Sequence, residues 1–289
     1  MDRSFVVGPA RAELTAEHTR LPLKLTRVTR DQPSTPSVDT GSVLGKVAAV
    51  LYAFTADDHG VSLAELGRRT GIPKGSLHRI VTDMVGVRLL DKTGTGYRLS
   101  GQVFQLGMRA SIERGLLEVA TPFMEDLYER THETVHLGVL EGVEVVYVSK
   151  IGGHRQAVTP SRVGGRMPLY CTAIGKALLA ASPPELTARV LAGGLARRTP
   201  RTITAPGLLR RQLERVAEKG VAFELEESAV GLACVASPIL DPDGRPVAAV
   251  SVTGPVIRFQ PQHHAAVVKA AAEGIAGTLA RRAALVQRD

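Results

Sequence analysis

The stretch from Ser62 to Leu99 constrains the fold more than any other. Ser62-Leu-Ala-Glu65 has the form of a capping box, in which hydroxyl and carboxylate each accept a backbone N–H at a helix start. The helix it opens is short, with Leu63 and Leu66 inward, and it stops at Thr70-Gly71, where glycine takes a left-handed turn. Ile72-Pro73 restarts the chain, and Leu77, Ile80, Val81 and Met84 then recur at helical spacing, predicting a helix from about Lys74 to Val87. Leu89 to Leu99 reads as two short strands around a Gly-rich turn. From Ser42 a preceding helical period places Val43, Val47, Val50, Leu51 and Phe54 on one face. Helix, capped helix, turn, helix and hairpin within about sixty residues make a winged helix-turn-helix.

In that motif the second helix of the pair lies in the major groove. With its apolar set inward, its outer residues are Lys74, Ser76, His78, Arg79 and Thr82. Arginine forks onto guanine, serine and histidine reach base edges, and lysine suits phosphate. Lys92 and Arg98 on the hairpin are expected to meet the adjacent backbone. The alternative is a solvated helical module for protein contacts, but the order of cap, turn, basic helix and hairpin favours double-stranded DNA.

Charge points the same way. The chain of 289 residues carries a formal +8, and residues 41–100 hold eight Lys/Arg against five Asp/Glu. Trp is absent and aromatics are 4% of residues, which argues against stacking on unpaired bases. The N-terminus lacks the apolar stretch of a secretion signal, and no apolar run approaches the ~20 residues of a membrane span, so a cytoplasmic protein is expected.

An α+β organisation follows in four parts: a flexible tail over 1–40, the DNA-binding domain over 41–100, a linker helix over 101–118, and a sensor-like domain over 119–289. Thr121-Pro122 is expected to cap a helix running to about Arg130. Strands are predicted at 135–140, 144–151, 231–240 and 246–254. Helices are predicted at 173–181, 183–192, 206–219 and 261–284, and 152–168 reads as loop.

His132-Glu-Thr-Val-His136 fits the HExxH pattern of zinc peptidases, whose chemistry needs both histidines on one helical face. Here a helix is ending and a β-branched stretch begins, and on a strand the two rings would stand ~13 Å apart, too far for one metal. His136, Cys171 or Cys234 could still enter a metal site. Cys171 and Cys234 occupy apolar settings of inert thiols. The alternative to a regulator is thus a metal- or thiol-dependent enzyme with an accessory nucleic-acid domain. No catalytic set, metal or cofactor is expected.

Several longer segments, in order, resemble the IclR family of bacterial transcriptional regulators: Thr70-Gly-Ile-Pro-Lys-Gly-Ser-Leu-His-Arg-Ile80, Glu133-Thr-Val-His-Leu-Gly-Val-Leu140, Arg166-Met-Pro-Leu-Tyr-Cys-Thr-Ala-Ile-Gly-Lys-Ala177, Gly231-Leu-Ala-Cys-Val-Ala-Ser-Pro-Ile239 and Ala249-Val-Ser-Val-Thr-Gly-Pro255. The resemblance covers about residues 42–285. It implies a GAF-like effector-binding domain, a homodimer or dimer of dimers, and repression or activation switched by a small organic acid or aromatic, with a repressor the favoured form. It also implies an effector site between the sheet and the helix start at Ala173 and Ile174, with Cys234 lining it and Met167 as an apolar wall. Independently, a helix N-terminus capped by Thr172 suits a carboxylate, and Ser251 and Thr253 share one strand face. One departure stands out: Arg88 occupies a position where the family usually has glycine, so the end of the third helix is expected to be rebuilt.

Overall fold

A computed structural model describes residues 39–55, 58–107, 109, 115–153, 157 and 159–286. The expected flexible tail lies outside the described residues, save Asp39 and Thr40.

The N-terminal domain follows the apolar spacing in its third helix, whereas of the face expected for the first helix only Val50 is buried, Val43 is 62% exposed and Phe54 lies past the helix end. Helices α1 (Val43–Tyr52), α2 (Leu63–Thr70) and α3 (Lys74–Gly86) precede strands β1 (Leu90–Thr93) and β2 (Gly96–Leu99). Leu77, Ile80, Val81 and Met84 are all buried, packed with Val50, Leu66, Ile72 and Leu90. Val61 exchanges two backbone bonds with Tyr97, an isolated bridge that covers the other edge of β2. Gly71 ends α2 at φ 68°.

The capping box is only half formed. Ser62 Oγ accepts the Glu65 N–H at 3.2 Å, but the Glu65 carboxylate turns to Arg68 at 2.6 Å and Arg69 at 2.7 Å. Two guanidiniums one turn on outcompete a single backbone N–H. Arg69 also grips Asp58 at 2.6 Å and donates to the Ala53 carbonyl, tying α2 to the loop after α1. That guanidinium holds the Asp58 carboxyl down to about 2.

The end of α3 is not rebuilt as expected. Leu89 N–H bonds Met84 O at 2.8 Å and Arg88 N–H bonds Val85 O at 3.0 Å, the two bonds of a Schellman motif. Arg88 takes the left-handed position at φ 61° in spite of its Cβ. Closing the helix outweighs that local strain. Arg88→Gly should therefore raise stability by about 0.5–1 kcal/mol after the entropy of the added glycine is set against relieved strain. A urea midpoint that fails to rise would show that Arg88 is not strained.

The linker is also corrected. In place of one helix over 101–118 there is α4 (Gly101–Gly107), and a new helix, α5 (Leu116–Thr131), starts after Gly115 at φ 96°. Residues 108 and 110–114 lie outside the described set. Thr121 does not cap; its hydroxyl bonds back to the Leu117 carbonyl, and Pro122 sits inside α5. The buried stripe Leu116, Val119, Ala120, Met124, Leu127 carries the helix through the proline, since packing outweighs one lost backbone bond.

The C-terminal domain is built on a six-stranded antiparallel sheet. Its strands are β3 (Thr134–Glu141), β4 (Glu144–Ile151), β5 (Arg166–Pro168), β6 (Ala222–Leu225), β7 (Leu232–Leu240) and β8 (Pro246–Pro255), in the order β5-β4-β3-β8-β7-β6. β5 lies in the segment expected as loop, and β6 is likewise absent from the sequence-based expectation. Both are edge strands of three or four residues, too short for periodicity to register. Val135, Leu137, Val250 and Val252 face α5 and the C-terminal helix α9 (Ala265–Val286). The opposite face packs against α6 (Ala173–Ala181), itself backed by α7 (Pro184–Ala192) and α8 (Pro206–Lys219). Helices thus cover both faces, as a GAF-like domain requires.

Candidate functional site

On α3, Lys74, His78, Arg79 and Thr82 are exposed, while Ser76 is half-buried. Thr82 donates its hydroxyl proton to the His78 carbonyl at 2.8 Å, leaving it an acceptor. Pro73 precedes the helix and contributes no side-chain cap, so the first-turn N–H groups of α3 are not taken by a capping side chain. Lys92 is exposed on β1. Arg98 shares its charge with Asp91, its cross-strand partner, at 3.3 Å. The resulting surface is a cationic helix flanked by a hairpin, its opposite side locked into the core.

The second constellation is a cavity between the sheet and the N-terminus of α6. Met167, Ala173, Ile174, Cys234, Ser251 and Thr253 all line it. Its volume is about 20 Å³, room for a single water. Thr172 caps α6, its Oγ1 accepting the Gly175 N–H at 3.1 Å and donating to the Pro168 carbonyl at 3.0 Å. The N–H groups of Ala173 and Ile174, at the positive end of the helix, have no hydrogen-bond partner among the described residues.

Cross-strand register explains the floor. Thr253 pairs with Cys234, which is next to Glu224 on β6, and Ser251 pairs with His136 on β3. Period-2 alternation sends all five side chains toward α6. Thr253 Oγ1 hydrogen-bonds Cys234 Sγ and lies 3.4 Å from His136 Nδ1. His136 Nε2 bonds Ser161 Oγ at 2.7 Å, and its ring meets Tyr147 edge-on at 5.2 Å. Lys150 reaches Thr159 Oγ1 and the Ser161 carbonyl, pinning this side of the cavity.

Sequence reasoning did not single out His136, Tyr147, Ser161 or Glu224 for this site. Burial keeps the His136 imidazole neutral, pushing it down to about 3, with the Lys150 charge adding to the effect. Burial drives the Tyr147 phenol up and the Glu224 carboxyl up to about 7. The signal for His136 was present, but the five-residue pattern around it drew attention to metal chemistry.

That pattern does not assemble a zincin face. His132 is the left-handed C-cap of α5 at φ 51°, Glu133 makes a bidentate pair with Arg258, and His136 is on β3. The strand geometry anticipated for both histidines is replaced by a helix end and a strand. The thiols are unsuited to nucleophilic attack: burial pushes Cys171 up to about 12 and Cys234 higher still. No helix among the described residues is long and apolar enough to cross a membrane.

Comparison with known proteins places both halves together. Residues 43–94 match the IclR helix-turn-helix domain and residues 108–276 match the bacterial transcriptional regulator IclR C-terminal domain. The HTH-type transcriptional regulator KdgR of Escherichia coli (strain K12) is 33% identical over 247 residues, 83% of this chain and 94% of that protein. The transcriptional repressor IclR of the same organism is 29% identical over 253 residues, 82% and 92% of the two chains. Among solved structures, an IclR homolog from Microbacterium hydrocarbonoxydans complexed with 4-hydroxybenzoate superposes with a TM-score of 0.77 at 32% identity, covering 83% of this chain and all of that one.

Proposed function

Since this chain belongs to the IclR family of bacterial transcriptional regulators, we propose that it is an effector-gated repressor whose α3 reads an operator and whose α6 cavity takes a small organic or aromatic acid. The observation that carries the effector reading is the pair of unpartnered N–H groups at Ala173 and Ile174, lining a cavity floored by Ser251 and Thr253. A carboxylate answers those donors, and the hydroxyls orient the rest of the ligand. The related structure with 4-hydroxybenzoate supports that ligand class.

A cavity with room for one water does not admit such an acid. Binding therefore favours a more open arrangement, and a ligand shifts an equilibrium only through such a difference in affinity between states. Exposed Phe104 and Leu106 on α4, a helix with no buried residue, support pairing with a second copy as a homodimer or dimer of dimers. Operator binding puts the protein in the cytoplasm. The relatives named as regulators, together with the raised thiols, speak against the enzymatic alternative.

The test is operator release by titrated 4-hydroxybenzoate and related small acids. Ser251→Val should shift the midpoint of the dose curve upward about tenfold, since a buried ligand group left without its hydrogen-bond partner costs ~1.5 kcal/mol. Operator affinity without ligand should stay unchanged. A superimposable dose curve in the variant would remove Ser251 from the site.

A further inference from the structure

Behind the cavity wall lies a second set of buried charges. Lys176, two residues beyond Ile174 on α6, is 0% exposed. Its Nζ pairs with the Glu227 carboxylate and donates to the Phe223 carbonyl at 3.3 Å. Glu227 in turn donates its backbone N–H to the Glu224 carboxylate at 2.6 Å, joined by the Ser228 N–H at 2.9 Å. Glu224 lines the cavity, whereas Lys176 and Glu227 do not. The second oxygen of Glu227, Oε2, is buried without a hydrogen-bond partner. One ammonium thus pairs with Glu227 and acts on Glu224 only through space, and full ionisation of both buried carboxyls would leave a negative charge without a counter-ion there.

The other ionisable groups around the cavity are the Cys234 thiol on β7, the Tyr147 phenol on β4 and the Cys171 thiol before α6, all kept protonated by burial, and the His136 imidazole on β3, which burial keeps neutral. Arg198 acts on Cys171. An anion beside α6 would therefore meet a like charge at Glu224 unless that carboxyl holds a proton.

We infer that an anionic ligand enters this cavity together with one proton, taken from solvent by Glu224, while Lys176 and Glu227 position that carboxyl at the wall. The inference rests on the effector reading above. Protonation converts Glu224 from a repelling charge into a hydrogen-bond donor. Burial pushes its titration up to about 7 against the pull of two backbone N–H groups, so the exchange falls in the neutral range. Above that point the affinity for an anion should drop tenfold per pH unit, and below it the affinity should level off.

The experiment is calorimetric titration of the full chain with 4-hydroxybenzoate from pH 6 to 8.5, in two buffers of different ionisation heat. The wild type should take up close to one proton per ligand at pH 8, with affinity declining above about pH 7. Glu224→Gln should bind with a flat profile and no proton uptake. Glu227→Gln removes a neighbouring negative charge and should move the break to lower pH, which a purely structural role would not do. Binding by the wild type that is independent of pH and buffer would overturn the proposal and leave the effector reading intact. No binding at any pH, by wild type or variant, would remove the aromatic-acid reading and this inference with it. An unmoved break in Glu227→Gln would remove the positioning role.

Discussion

Replacing Gly175 by alanine should lower the melting temperature of the C-terminal domain on the order of 10 °C and weaken ligand binding at least tenfold. A Cβ built at this position would lie 2.3 Å from the Leu169 carbonyl oxygen, 2.5 Å from the Leu169 Cα and 2.6 Å from Thr172 Oγ1. The first two are backbone atoms of the turn that delivers the chain from β5 into α6. Relief requires the turn and the helix to part. That breaks the bond from the Gly175 N–H to Thr172, the cap that sets the first turn beside the cavity. Overpacking costs about 1–3 kcal/mol and a lost cap about 1 more. A domain of this size loses roughly 2–4 °C per kcal/mol. Helix propensity alone predicts the opposite sign, a gain of about 0.5–1 kcal/mol from glycine to alanine within a helix. The melt therefore discriminates. An unchanged or higher Tm would show that the close approach between Leu169 and α6 is not tight.

Much of the architecture was legible because burial imposes a period. Leu77, Ile80, Val81 and Met84 could be assigned to the core from spacing, and all are buried. Ser62, Gly71 and Thr172 were legible as helix boundaries because only particular side chains suit a cap or a left-handed turn. The misreadings arise where a tertiary partner overrides a local preference. Glu65 leaves its capping role for two arginines, one of them held by Asp58 across a loop. Pro122 is tolerated mid-helix because α5 is packed against both the sheet and α9. Arg88 is forced to a left-handed turn by the bonds on either side of it.

The cavity was legible only in part, for a related reason. Met167 and Cys234 came from resemblance, the start of α6 from resemblance and from its Thr172 cap alike, while Ser251 and Thr253 stood out as hydroxyls on an apolar strand. Glu224 is on a four-residue edge strand with no pattern of its own, and its neighbour across the sheet, Cys234, lies ten residues away around a loop. His136 reaches Ser161 and Thr253 from positions 25 and 117 residues distant. Such groups become a site only through sheet register, and register is a property of several strands at once.

Arg79→Ala should weaken operator binding by ~1–3 kcal/mol for each subunit engaged, roughly 5- to 150-fold, and relax base preference at one operator position. Arg79 is exposed one step before buried Ile80, so its backbone is fixed by the core while its guanidinium remains outside. It has no carboxylate partner among the described residues, unlike Arg68, Arg69 and Arg98, whose charges are spent on Glu65, Asp58 and Asp91. Alanine is the better helix former, and fold and melting temperature should therefore be preserved. Lys74→Ala is the control. It removes a charge from the start of α3, where phosphate contact is expected, and should weaken binding to all sequences alike while lowering the salt slope by about one. The two substitutions thus separate base reading from phosphate contact on a single helix. Mobility-shift titrations with operator and scrambled duplexes at several salt concentrations decide the matter. Equal affinity and equal base preference in Arg79→Ala would mean that this face of α3 does not read the duplex.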